Sequence, residues 1–170
     1  MGVETMRAIT ILQPWASLLA CGAKRYETRS WATRYRGPIA IHAGKKKAID
    51  SIHSLDWSTM TIMARVLGFF PDDGLVRNQW SQIGVLNSLP HGAIIATAEL
   101  VGCWEIRSGM GLGFPIIYNP YERQDIVGDE YLFGDWTPGR YAWQFANMKI
   151  LETPIPTRGY QGLWTWRKSE

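Results

Sequence analysis

Only two cysteines, Cys21 and Cys103, occur in 170 residues, too few and too far apart for a thiolate metal site. They read as free thiols of a cytoplasmic protein, with Cys21 packed beside Leu18. Histidine is nearly as scarce: His42, His53 and His91 form no H-E-x-x-H pair, and no C-x-x-C is present. No metal and no cofactor is therefore expected. The chain has no G-x-S-x-G elbow, and the glycines at 109, 111 and 113 are not followed by G-K-[ST], which removes a phosphate loop. No apolar run reaches the roughly 18 residues of a membrane span, so no membrane partner is expected. The opening M-G-V-E-T-M-R lacks a secretory apolar region. Repeats and low-complexity tracts are missing as well.

What is present is a globular composition, 46% apolar, with nine tryptophans. That length and apolar content predict a single domain over 1–170 with a real core. The net charge of +3 conceals an asymmetry. Lys24, Arg25, Arg29, Arg34, Arg36, Lys45, Lys46 and Lys47 share their stretch with one acid, Glu27, so that segment is +7 and the remainder −4. Trp31 and Tyr35 are interleaved with these cations. A basic, aromatic face of this kind predicts an anionic partner, nucleic acid first. The Lys45–Lys47 run by itself reads equally well as a solvated surface.

Periodicity supplies the elements. Arg7 to Leu12 predicts a strand, with Ile9 and Ile11 on one face. Pro14 suits the start of a short helix whose stripe is Trp15, Leu18 and Leu19, closed by Gly22. Ile39, Ile41 and Ala43 alternate with Ala40 and His42 along a second strand. Asp56 or Ser58 would cap a helix carrying Ile62, Met63, Val66 and Leu67, and Phe70–Gly74 is a turn. Ala93 to Trp104 alternates as a strand with Ile95, Thr97, Glu99 and Val101 on one side. Tyr141, Trp143 and Phe145 mark a late strand, separated by Pro154, Pro156 and Gly159 from a last one at Gly162–Trp166. Insertions are expected at about 48–90 and 107–140, the second as a long Gly-rich, acidic loop of the kind that forms lids. The fold class is α+β: a mostly antiparallel β-barrel with an early helix and a helical insertion.

The run G-A-K-R-Y-E-T-R, Gly22 to Arg29, resembles the G-x-K-x-x-E-x-R signature of ASCH (activating signal cointegrator homology) domains. Q-P-W-A-S-L-L before it, Y-R-G-P-I-A-I-H-A after it, I-I-A-T-A-E-L-V-G from Ile94 and Y-Q-G-L-W from Tyr160 resemble the same family in the same order. The resemblance implies a PUA-like pseudo-barrel whose cleft is flanked by the early helix. It also implies that Lys24, Glu27 and Arg29 line that cleft.

Residue chemistry agrees with a site there. A Lys–Glu pair in a closed cleft can pass a proton when desolvation moves a pKa, and an adjacent Arg presents a donor fork to phosphate. Lys24, Glu27 and Glu99 are thus the catalytic candidates. Lys24, Arg29, Trp31, Arg34, Arg36, Lys45, Lys46 and Lys47 are the nucleic-acid-binding ones. The competing reading of Lys24, Glu27 and Arg29 is a salt-bridged elbow that fixes the helix to the barrel. Glu99 alternatively pairs with Arg29 or Arg36, and His42 reads as a packed barrel residue. The expected partner is RNA, another single-stranded nucleic acid or a modified nucleoside, with hydrolysis held open. Small ASCH proteins act as amidohydrolases on N4-acetylcytidine with a Lys, a Thr and a Glu, and others are ribonucleases. Here Lys24 matches the lysine, Glu27 stands at the threonine position, and Glu122 and Glu130 are the candidates for the glutamate.

Overall fold

The computed structural model describes residues 5–52, 54–69, 84–109 and 114–168. The expected turn at Phe70–Gly74 and the glycines at 111 and 113 lie outside these. Strand β1 (Thr5–Ile11) sends Ile9 and Ile11 into the main core and Ala8 to the opposite face, as its alternation requires. Helix α1 (Trp15–Ala20) follows, its open Ser17 N–H received by the Gln13 side chain at 3.1 Å. Five of its six residues are buried, with Ala16, Leu19 and Ala20 in the main core and Leu18 in a separate cluster with Met63 and Phe133. The helix is therefore enclosed nearly all round, not buried along one stripe. Cys21 does lie beside Leu18, its Sγ donating to the Leu18 carbonyl at 3.3 Å, but it is exposed and not packed in the core.

Strands β2 (Tyr26–Arg29), β3 (Gly37–Ala43), β4 (Ala93–Arg107), β7 (Tyr141–Pro156) and β8 (Leu163–Arg167) join β1 in one curled sheet, ordered β2-β7-β4-β3-β1-β8. Only β1 and β3 pair in parallel among these neighbours. The α+β barrel architecture is thus as expected. One face of the sheet packs Ile39, Ile41, Leu100, Trp143 and Phe145 against α1, and the other packs Ala40, Ile94, Trp164 and Trp166.

Three departures from simple periodicity matter. Bulges shift the β4–β7 register between Ile94 and Ala96, so Ile95 and Ala96 enter the same core instead of opposite faces. The prolines at 154 and 156 do not end β7, which pairs with β4 through Pro156. The described part of 107–140 is not one continuous loop: β5 (Ile116–Asn119) and β6 (Glu122–Asp125) form a hairpin on the end of β4. It buries Ile117 against Ile106 and Trp104.

The region after β3 is helical where it is described, with α2 (Ile49–Ile52), α3 (Trp57–Val66) and a further helical turn at 84–87. Asp56 caps α3 by accepting from Thr59 N at 3.0 Å. Ala48, Ile52, Met60 and Leu86 form a small apolar cluster that Trp15 of α1 also touches. A single-turn helix, α4 (Asp129–Leu132), precedes β7.

Candidate nucleic-acid interface

The elbow between α1 and β2 is set by Gly22, whose φ of +82° is open to glycine at no steric cost. The chain turns there so that Lys24 points inward, 1% exposed. Its ammonium donates to the Phe133 carbonyl at 2.6 Å and lies 3.6 Å from Glu27 Oε2. Burial pushes the Lys24 pKa below its ordinary value, while the Glu27 and Glu130 carboxylates pull against that shift. Glu27 and Arg29 share a face of β2, and Arg29 Nη2 reaches Glu27 Oε1 at 3.2 Å and the Thr10 carbonyl at 2.7 Å. Lys24, Glu27, Thr28 and Arg29 border a narrow pocket of about 320 Å³ roofed by Phe133 and Leu132.

Arg29 and Thr10 also line a second, wider cavity of about 1060 Å³. Three cations face it, Arg29, Lys45 and Arg158, and none of the described residues lining it carries a carboxylate. Trp31 and Tyr160 supply aromatic surface, 36% and 53% exposed. One wall is the connection from β7 to β8, held by Thr10 Oγ1 donating to Tyr160 O and by Thr157 N donating to Gly92 O. His42 sits behind it. Its Nε2 is 2.9 Å from Thr157 O, and a carbonyl can only accept, so Nε2 carries the proton. Burial lowers the His42 pKa, partly offset by that same bond. Gly159 lies against the other side of the ring: a Cβ there would stand 2.5 Å from His42 Nδ1 and 2.8 Å from Thr10 Oγ1. Arg29 Nε, His42 Nδ1 and His91 Nε2 are buried without a hydrogen-bond partner, and all three residues line this cavity.

The ASCH domain model matches residues 9–154 of the sequence. The chain belongs to the ASCH domain family. Activating signal cointegrator 1 of Homo sapiens is 32% identical over 95 residues, covering 56% of this chain and 14% of the relative. The mouse protein of the same name is 30% identical over 96 residues, again 56% of this chain and 14% of its own length. The similarity therefore spans one small part of those longer proteins. The family is one of RNA-binding, PUA-like domains.

Set on the ASCH fold, the sequence candidates separate. Lys24 and Glu27 meet in the narrow pocket, Trp31 and Lys45 line the wide cavity, and Arg29 belongs to both. Lys46, Lys47 and Arg34 are exposed and line neither. Arg36 is exposed and spends its guanidinium on Thr33 O and Tyr35 O. Glu99 lies on the solvent side of β4, accepting from Asn147 Nδ2 at 2.9 Å, and forms no pair with Arg29 or Arg36. Neither cavity includes it, because on β4 its neighbours Ala98 and Leu100 take the inward positions.

Of the two other glutamates, Glu122 is exposed on the β5–β6 hairpin. Glu130 is buried and receives Arg25 N at 2.9 Å and Tyr26 N at 3.2 Å, so it clamps the start of β2. Sequence reasoning misses Arg158, His91 and Tyr160 as site residues. Tyr160 opens the family-like Y-Q-G-L-W segment, which is the available signal; Arg158 and His91 are isolated in sequence and reach the cavity because β3, β4 and β7 are neighbours in the sheet, which brings together the segments at their ends.

Proposed function

We propose that this domain binds single-stranded RNA across the wide cavity, with phosphates against Arg29, Lys45 and Arg158 and bases stacked on Trp31 and Tyr160. One observation carries the reading: three cations and two accessible aromatic rings line a single cavity in which no described residue is acidic. Cations supply affinity for any phosphate backbone, and aromatic faces accept any base. The narrow pocket beside Arg29 is of a size for one base or nucleoside. The test is anisotropy titration of labelled single-stranded RNA at several salt concentrations. The variant Lys45→Ala/Arg158→Ala should bind more weakly whatever the sequence. Its salt slope should also be shallower by about 0.7 for each phosphate it no longer neutralises. Unchanged affinity and slope would end this reading.

A second reading, hydrolysis of an N-acylated nucleoside such as N4-acetylcytidine, or of RNA itself, rests on Lys24. Burial favours its neutral amine, and Glu27 stands 3.6 Å away as a proton partner. Chromatography after incubation with N4-acetylcytidine, and gels after incubation with labelled RNA, decide it. Turnover by the wild type that Lys24→Arg abolishes while RNA affinity persists would replace the binding reading with the enzymatic one. Arginine keeps the charge and cannot become the neutral base.

A further inference from the structure

The wide cavity offers more donors than one internal phosphate of a strand can use. A phosphodiester brings a single charge and two non-bridging oxygens. A terminal phosphomonoester brings three such oxygens and, with its second pKa at about 6, close to two charges at neutral pH. The cavity answers the second description better. Lys45 and Arg158 come from separate segments, and neither forms an ion pair among the described residues; Arg158 lies 5.6 Å over the Tyr160 ring instead. Arg29 engages Glu27 and Thr10 through Nη2, leaving Nε buried and unpartnered. His91 Nε2 is likewise buried and unpartnered, and an imidazole can place its N–H there by tautomerisation alone. An unpaired buried donor is costly, and an acceptor-rich ligand removes that cost. His42 is not part of this set, because Gly159 covers its free nitrogen.

We infer that the cavity takes a phosphomonoester: the phosphorylated end of a single strand, held by Arg29, Lys45, His91 and Arg158, with the terminal base against Trp31 or Tyr160. The inference rests on the RNA-binding reading above and narrows it from backbone to strand end. The same chemistry is carried by a 5′-phosphate, a 3′-phosphate or a free mononucleotide, and the test separates them.

Short oligouridylates bearing a 5′-phosphate, a 3′-phosphate or hydroxyls at both ends are titrated by anisotropy. Uridine 5′-monophosphate and inorganic phosphate are followed by thermal melting. One phosphorylated end should bind about tenfold or more tightly than the hydroxyl-ended strand, the scale of an added charge-assisted hydrogen bond. That ratio should fall to about twofold or less in His91→Ala and in Arg158→Ala, and persist in Lys47→Ala, which lies outside the cavity. Parallel melts establish that each variant folds, and the ratio is read within each variant, so a general fall in affinity does not imitate the effect. Strands that bind with no end preference overturn this inference and leave RNA binding standing. A preference that survives both cavity variants overturns it too. Melting raised by uridine monophosphate or phosphate in the wild type but not in Arg158→Ala, with no strand bound, keeps the phosphomonoester site and removes the RNA reading. No response to any probe removes both.

Discussion

Around the narrow pocket charge is matched within the protein. Lys24 faces Glu27 and the Phe133 carbonyl, Glu27 also meets Arg29, and Asp135 takes Arg140 at 3.2 Å. Across Arg29 the wide cavity collects Lys45 and Arg158 with no acid among its described lining residues, and Arg29 Nε is buried without a partner. The two regions share Thr10 and Arg29 and still differ in kind. Groups that fix the α1–β2 elbow are buried and paired, since an unpaired buried charge is expensive. The cations of the wide cavity are left exposed or unpartnered, and an unpartnered buried donor carries a stability cost that a bound anion would reverse. A signature residue is thus not automatically a contact residue: Lys24 lies in the family motif and is almost fully enclosed.

The widest gap between the regions should appear in stability. Glu27→Ala leaves the Lys24 ammonium buried beside Arg29 with its nearest carboxylate gone, and should cost about 3–5 kcal/mol in urea unfolding. Lys24→Met combined with Glu27→Leu should recover part of that stability, because apolar residues replace the buried pair while Arg29, which also loses Glu27, keeps the Thr10 carbonyl and partial solvent contact. Arg158→Ala, in the open cavity, should stay within about 0.5 kcal/mol of wild type. Equal midpoints for Glu27→Ala and wild type would mean that the elbow does not depend on its ion pair, and the contrast would fail.

A smaller effect tests how the wide cavity is walled. Alanine at 159 would place its Cβ 2.5 Å from His42 Nδ1 and 2.8 Å from Thr10 Oγ1, so either the ring or the β7–β8 connection must move. Overpacking of this kind costs about 1–3 kcal/mol. Because the connection carries Arg158 and Tyr160, Gly159→Ala should also weaken RNA binding. Combining it with His42→Ala should relieve the clash, giving a non-additive double-mutant cycle. Additive effects would show that Gly159 and His42 do not press on each other.

Much of this architecture is legible in the sequence, and the failures have physical causes. Alternation locates β1, β3 and β4, and the ordered motifs identify the PUA-like barrel with its elbow at Gly22–Arg29. Glu99 passes for a cleft residue because alternation tells which residues share a face, not which face turns inward. The β4 bulges further break that alternation near Ile95. The β5–β6 hairpin is hidden in a Gly-rich, acidic stretch whose strands are four residues each, E-R-Q-D in β6 showing no apolar alternation. In sequence the cations form one contiguous cluster, Lys24 to Lys47. The actual cavity draws on Arg158 and His91, which only tertiary folding brings to Lys45.

The smallest difference is expected within a run of three identical side chains. Lys45, Lys46 and Lys47 are all exposed, yet only Lys45 lines the wide cavity. Composition treats them alike; geometry does not. A lysine that holds a phosphate contributes to the bound state and slows release. One that only adds to the surrounding field speeds encounter and is screened within a Debye length, about 8 Å at physiological ionic strength. Lys45→Ala should therefore weaken RNA binding by roughly 1 kcal/mol, mainly through faster dissociation. Lys46→Ala and Lys47→Ala should each change affinity by less than about 0.5 kcal/mol, through slower association that high salt abolishes. Stopped-flow anisotropy at low and high salt separates the two rate constants. If all three substitutions act equally and only on association, the run is a diffuse basic face and the cavity does not select among its lysines. If Lys45 alone alters dissociation, the ligand is seated where Arg29 and Arg158 converge.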